Sequence, residues 1–204
     1  MVASAANPET SAVARHIARA AARLFATRGY DATPVRAIVE AAGVTKPTLY
    51  YHFGSKEGLA QALLTVPMTG LVASLRGVLD AGGDPVESLV RMTEAHLSFC
   101  RDDPDRVRFI YALLFGPLGT GLAGEMDRFR DALCGVMVEG IRRLAGAGAI
   151  DPGRVEAFAS AHRGLIVIST MDFLFMDQAL GTDLAGRIVD DLLRGFGPGA
   201  SDTP

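Results

Sequence analysis

Three observations predict an all-α chain. The dipeptide Asp-Pro recurs at 84–85, 103–104 and 151–152, each time setting a capping carboxylate before a proline, whose missing N–H and fixed φ suit a first helical turn. Apolar residues repeat at helical spacing, as in Ile17, Ala21, Leu24 and Phe25. No segment sustains the apolar–polar alternation of a half-buried strand, and no internal repeat is visible.

The elements follow in order. Residues 1–10, MVASAANPET, are small and polar without periodicity and read as a disordered tail. A first helix is predicted from Ser11 to Arg28, ended by Gly29. Thr33-Pro34 announces a second, with a capping hydroxyl followed by a first-turn proline; Ile38 and Ala41 give its inner face and Gly43 breaks it. A third begins at the capping Thr45 and stops at Gly54, where Ser55 caps a fourth. Further helices are predicted over about 55–80 (bent at Pro67), 85–101, 104–115, 125–147, 153–180 and 184–195, with a short tail from 198. A small three-helix domain over 11–59 would thus precede a larger helical domain over 60–197.

Composition bounds the function. With 49% apolar residues in 204, the chain can bury a substantial core. No signal peptide is evident, because AVARHIARAAARLF is cut repeatedly by arginine. The apolar run from Gly164 to Met176 contains Asp172 and is short of a membrane span, so a cytoplasmic protein is expected. Two cysteines, Cys100 and Cys134, are too few for a disulfide framework. Residues 1–60 carry seven Lys/Arg and four Asp/Glu (+3); the remainder carries thirteen and nineteen (−6), which sums to the net −3. A basic head on an acidic body points to a polyanion at the head alone.

Two short helices joined by Ala41-Ala42-Gly43-Val44-Thr45 have the form of a helix-turn-helix, whose second helix enters the DNA major groove. On that helix Leu49 and Phe53, four apart, pack inward and turn Pro47, Thr48, Tyr50 and Tyr51 outward. The stretch LFATRGYDATPVRAIVEAAGVTKPTLYYHFGSKEGLAQAL resembles the DNA-binding domain of the TetR family of transcriptional regulators, over about 50 residues from Arg15 to Leu64. The likeness rests on Gly29-Tyr30 before Thr33, the Ala-Gly-Val turn at 42–44, and Thr48 to Phe53 followed by Ser55-Lys56-Glu57. Pro34 departs from the pattern at a variable position.

The resemblance implies DNA contacts from Thr33, Arg36, Thr45, Lys46, Pro47, Thr48, Tyr50, Tyr51, His52 and Lys56. Lys46 and Lys56 are the only lysines in the chain. Lys56 stands in the first turn of the fourth helix, where free N–H groups and the helix dipole favour a phosphate. Lys46 would reach a guanine edge or a phosphate, Arg36 a guanine in bidentate fashion, and Pro47 and Thr48 thymine methyls. Tyr50 and His52 would touch phosphates, and Thr33 would clamp another through its cap.

The body offers weaker signals. The segment GTGLAG at 119–124 matches G-x-G-x-x-G, but no strand precedes it, so it reads as a flexible connection. His96 and Cys100 stand at i, i+4, a spacing that suits a metal, though core or pocket lining is the favoured reading and no metal or other cofactor is expected. Ser160 and His162 would diverge on a helix, and no enzyme motif remains. Phe99, Tyr111, Phe115, Met126 and Phe129, with Phe109 and Met137, could wall an effector cavity, with His96, Cys100 or Arg130 supplying contacts; each alone is also what a core contains. In the TetR family the larger domain binds a small molecule and dimerises, its last two helices pairing with their mates as a four-helix bundle. That implies interface positions Gly164, Ile168, Phe175, Leu184, Ile188 and Leu192.

The expected function is a ligand-responsive transcriptional regulator, of the repressor kind usual in the family, binding a double-stranded operator as a homodimer and released by an unknown small apolar or amphipathic effector, with no membrane partner. The alternatives are a regulator controlled by a protein partner, and a carrier or enzyme with a vestigial DNA-binding head.

Overall fold

The computed structural model describes residues 12–115 and 122–196, which form nine α-helices and no strand. They are α1 (Ala12–Arg28), α2 (Val35–Ala41), α3 (Lys46–Phe53), α4 (Lys56–Asp80), α5 (Pro85–Asp102), α6 (Pro104–Phe115), α7 (Ala123–Gly146), α8 (Val155–Phe175) and α9 (Leu184–Phe196). The expected tails and residues 119–121 of the 119–124 connection lie outside the described residues.

Local chemistry sets most helix starts. Asp84 Oδ1 accepts from the Glu87 N–H at 2.8 Å, Asp103 Oδ1 from Arg106 at 3.0 Å, and Asp151 Oδ1 from Gly153 at 2.7 Å. The third of these opens a short 3₁₀ turn, Pro152–Arg154, before α8 begins. Ser55 Oγ accepts from the Gly58 N–H at 2.9 Å and so caps α4. Thr33 departs from expectation: it is fully buried, and its hydroxyl donates to the carbonyl of Gly29 at 2.7 Å, so α2 starts from Pro34 with no side-chain cap. The C-terminus of α8 also differs. The helix stops at Phe175, not 180, and Asp177 takes φ 55 while the Met176 and Gln178 N–H groups both bond the Asp172 carbonyl.

The chain divides into two compact units, and the boundary expected near residue 60 falls after Met68. The first unit comprises residues up to Met68 together with Asp103–Arg128, so α6 belongs with the N-terminal helices. Within it α1 packs against α2, α3 and α6, around Ile17, Phe25, Ile38, Leu49, Leu59 and Phe109. The second unit comprises Thr69–Asp102 and residues from Phe129 onward; there α5 packs on α8 and α9, and α8 on α9. Arg143 of α7 donates to the Leu79 carbonyl at the end of α4, and Arg76 of α4 pairs with Glu139 of α7.

α4 runs unbroken through Pro67. It is long and apolar enough to cross a membrane by length and composition. Its buried residues Leu59, Leu63, Leu64, Met68, Leu71, Leu75 and Leu79 nevertheless recur every three or four positions, the stripe of a core helix, while Thr65, Thr69, Ser74 and Arg76 are exposed.

Candidate nucleic-acid interface and helical cavity

α2 and α3 are joined by a turn in which Gly43 takes φ 60, a left-handed conformation that costs glycine little. The Gly43 and Val44 N–H groups return to the carbonyls of Glu40 and Val39, closing the end of α2. α3 then starts at Thr45, whose Oγ1 accepts from the Thr48 N–H at 3.4 Å and lies 2.9 Å from the Thr48 hydroxyl. Leu49 is fully buried and Phe53 half-buried, so the helix is held by one face. The opposite face presents Lys46, Pro47, Tyr50 and Tyr51, with Tyr51 76% exposed; Thr45 is exposed and Thr48 half-buried. Half-buried His52 meets Tyr51 edge-on at 5.1 Å between ring centres.

Three of the expected contacts have partners within the protein. Thr33 offers no phosphate clamp, because its side chain is buried and its N–H donates to the Tyr30 carbonyl at 3.2 Å. Arg36 is exposed, and its Nε donates to Glu40 one turn on at 2.6 Å, a bond that does not use its two Nη groups. Lys56 is not a free cation: Nζ sits 4.3 Å from the centre of the Tyr30 ring. Burial lowers its pKa, and Asp31 opposes that shift. Burial, Glu57 and Asp31 together raise that of Tyr30. The Tyr30 ring in turn packs on Phe25 at 5.2 Å and on Phe109 of α6 at 6.5 Å. α6 thereby buttresses the ring that positions Lys56.

Gly58 is the residue that sequence reasoning missed. A Cβ built on it would lie 2.1 Å from the Phe53 carbonyl oxygen, so only glycine lets the first turn of α4 approach the end of α3 this closely. The visible signal is Ser55-Lys56-Glu57-Gly58, where a capping box would place Glu or Gln at the last position.

Within the second unit, α5, α7 and α8 line a cavity of about 60 Å³ that is partly open to solvent. α7 contributes Leu133, Cys134, Met137 and Ile141, α8 contributes His162, Arg163, Ile166 and Val167, and α5 contributes His96. Of the eight expected effector contacts, only His96 lines it, joined by Met137 from the wider set of apolar candidates. Cys100 is buried and accepts weakly from the Thr170 hydroxyl at 3.8 Å. Phe99 and Phe129 are half-buried outside the lining, and Arg130 is exposed beside Asp131. Tyr111, Phe115 and Met126 belong to the first unit. The reason is geometric: the walls are mostly aliphatic side chains of α7 and α8, and the polar groups are His96, His162, Cys134 and Arg163. Among the described residues no three His, Cys, Asp or Glu side chains are grouped to hold a metal ion.

Both histidines are held neutral. Burial pushes His96 down to about 4, and burial with repulsion from His96 does the same to His162. The Thr93 hydroxyl donates its one proton to the Leu89 carbonyl at 2.8 Å, so it must accept from His162 Nε2 at 2.9 Å. His162 is therefore the Nε2–H tautomer. His96 Nδ1 is buried with no hydrogen-bond partner.

The expected dimer face is divided. On α8, Gly164 is exposed, and Leu165, Ile168, Phe175 and Met176 are exposed apolar side chains, with Phe175 at 55%. On α9, Ile188 and Leu192 are buried and Leu184 is half-buried, because that stripe covers the helix's own unit; the outer face is ion-paired, Arg187 with Asp183 at 3.4 Å and Arg194 with Asp190 at 2.5 Å.

A short helix held across a glycine turn, one face in the core and the other offering a cation and two tyrosines to solvent, defines a helix-turn-helix protein. Residues 17–63 match the family model of bacterial regulatory proteins, tetR family. The transcriptional repressor KstR2 of Mycobacterium tuberculosis is 42% identical over 69 residues, 34% of this chain and 34% of that protein. The transcriptional activator FasR of Mycolicibacterium smegmatis is 37% identical over 92 residues, 45% of this chain and 42% of that one. The chain thus matches less than half the length of either relative. The crystal structure of PfmR, a TetR family transcriptional regulator from Thermus thermophilus, aligns with a TM-score of 0.72 at 27% identity, over 89% of this chain and 98% of that one. Residues 17–63 are thus a DNA-binding segment of the tetR-family type, and the chain as a whole shares its fold with a TetR family regulator.

Proposed function

We propose that the protein is a ligand-responsive transcriptional regulator, of the repressor kind, that binds a two-fold operator as a homodimer and releases it when a small molecule occupies the cavity of the second unit. The observation that carries this reading is the outward face of α3, Lys46, Pro47, Tyr50 and Tyr51, inside the segment that matches the family. An operator duplex meets Lys46 and Lys56 through phosphates and Arg36 through the Nη groups left by Glu40. The KstR2 and FasR names support DNA-linked regulation and differ in its sign. By linkage, effector and operator weaken each other by the same factor, and a coupling of about 1–3 kcal/mol gives a 5- to 150-fold change.

Gel shifts on an operator selected from random duplexes test the head. Lys56→Gln should weaken specific and random DNA alike and flatten the log–log salt slope by about one phosphate. Arg36→Ala should relax the preference at one or two base pairs at a cost of about 1–3 kcal/mol. Equal effects of Arg36→Ala on specific and random duplexes would remove it from base reading.

The homodimer is proposed through α8, where Gly164 opens the surface beside the exposed Leu165, Ile168 and Phe175. Ile168→Glu should turn a dimer into a monomer in sedimentation while leaving the helical circular dichroism unchanged, because the side chain is 54% exposed. A variant that remains dimeric would place the interface elsewhere.

A further inference from the structure

We propose that the cavity of the second unit takes a molecule with three parts: a neutral oxygen function, hydroxyl or keto, at its buried end against His96, an aliphatic body, and an anionic group at the mouth against Arg163. This deepens the proposed function and rests on its reading of the cavity as the effector site. The polar groups of the cavity are arranged by depth. His96 Nδ1 is buried and unpartnered, a state that is costly for a polar atom unless something enters to bond it. Arg163 is exposed, and its Nη1 donates to the Cys134 thiol at 3.7 Å, a weak acceptor that an anionic oxygen would replace to advantage. The same cavity is lined by Leu133, Met137, Ile141, Ile166 and Val167, whose side chains are apolar.

The buried end excludes a charge. An anion there would leave water for a site with no cation, since both imidazoles are neutral at pH 7 and a proton on one is opposed by the other. Thr93 strengthens this by holding His162 in one tautomer through Nε2. A hydroxyl suits a neutral imidazole nitrogen whether that atom donates or accepts, and a keto oxygen suits it when it donates. The charge of the ligand therefore belongs at the mouth, with Arg163.

The test uses 8-hydroxyoctanoate, octanoate and octan-1-ol as probes in calorimetric titrations of the full chain at pH 7.5. The hydroxy acid should bind about tenfold more tightly than either of the others, the difference that one added hydrogen bond of about 1.4 kcal/mol makes. His96→Phe should abolish the advantage of the hydroxy acid over octanoate while leaving octanoate itself bound, and Arg163→Gln should abolish its advantage over octanol. Octanoate binding as well as 8-hydroxyoctanoate, or no binding by any of the three at millimolar concentration, would overturn the proposal. Gel shifts with the same probes separate it from the wider reading. Selective binding that leaves operator affinity unchanged would uphold the three-part cavity and refute its role as effector site, whereas unselective binding that releases DNA would do the reverse.

Discussion

Gly58→Ala is expected to destabilise the DNA-binding unit and to remove tight operator binding. The added methyl would stand 2.1 Å from the Phe53 carbonyl oxygen and 3.5 Å from Ser55 Oγ. Backbone atoms cannot swing aside as a flexible side chain does, so the end of α3 and the first turn of α4 must part. Their separation disturbs the Ser55 cap, which bonds Gly58 at 2.9 Å, and shifts Lys56 relative to the outward face of α3. Overpacking of this kind costs about 1–3 kcal/mol, which outweighs the roughly 1 kcal/mol of helix propensity that alanine gains over glycine. Operator affinity should fall by at least about tenfold, because Lys56 and the outward face of α3 no longer keep one spacing. Gly70→Ala and Gly77→Ala are the controls: both lie in the same helix with no atom within 4 Å of the added Cβ, and should be neutral or stabilising. Thermal unfolding and gel shifts on the three variants check this. A Gly58→Ala protein as stable and as tightly binding as its parent would show that the approach of α3 to α4 is dispensable.

What can be read from the sequence is what local chemistry decides. The three Asp-Pro pairs set helix starts because cap and proline act within one turn, whatever the helix later packs against. Thr33-Pro34 looks alike in sequence, yet its hydroxyl serves Gly29, since the side chain is inside and the nearest acceptor lies behind it. The end of α8 is not legible, because Asp177 enters the left-handed region without a glycine or proline to mark it.

The candidate site divides along the same line. The outward residues of α3 follow from an eight-residue helix with one buried leucine, so spacing alone places Tyr50 and Tyr51. The cavity depends on how α5, α7 and α8 meet across 70 residues of chain, as Thr170 meeting Cys100 illustrates, and neither composition nor periodicity carries that information. Aromatic and methionine content therefore points to Tyr111, Phe115 and Met126, which lie on α6 and the first turn of α7 and belong to the first unit. α9 shows the limit of an amphipathic stripe: Ile188 and Leu192 mark a covered face, and what covers it is their own chain.

Stability is expected to fall on acidification between about pH 6.5 and pH 4, and the fall should belong to His96 and His162. Both stand at about 4 in the folded protein against 6.5 for an ordinary imidazole. Between those values the unfolded chain binds protons that the folded one refuses, so stability rises with pH there; it is present in full above 6.5 and is lost as pH falls through 4. A shift of this size amounts to about 3 kcal/mol for one histidine, a large share of a domain's stability. The second adds to it, because each cation opposes the other in the same cavity. Carboxylates do not imitate the effect: Glu139, whose pKa is held down first by its hydrogen bond to Arg76 and also by Arg143, gives up its contribution only at more acid pH, below the ordinary carboxylate range. Urea unfolding at half-unit steps from pH 7.5 to 4.5 measures the slope, and His96→Gln with His162→Gln should flatten it. A wild-type slope that survives both substitutions would assign the acid sensitivity to other groups, and would mean that the imidazoles are charged or solvated where the cavity requires them neutral and dry.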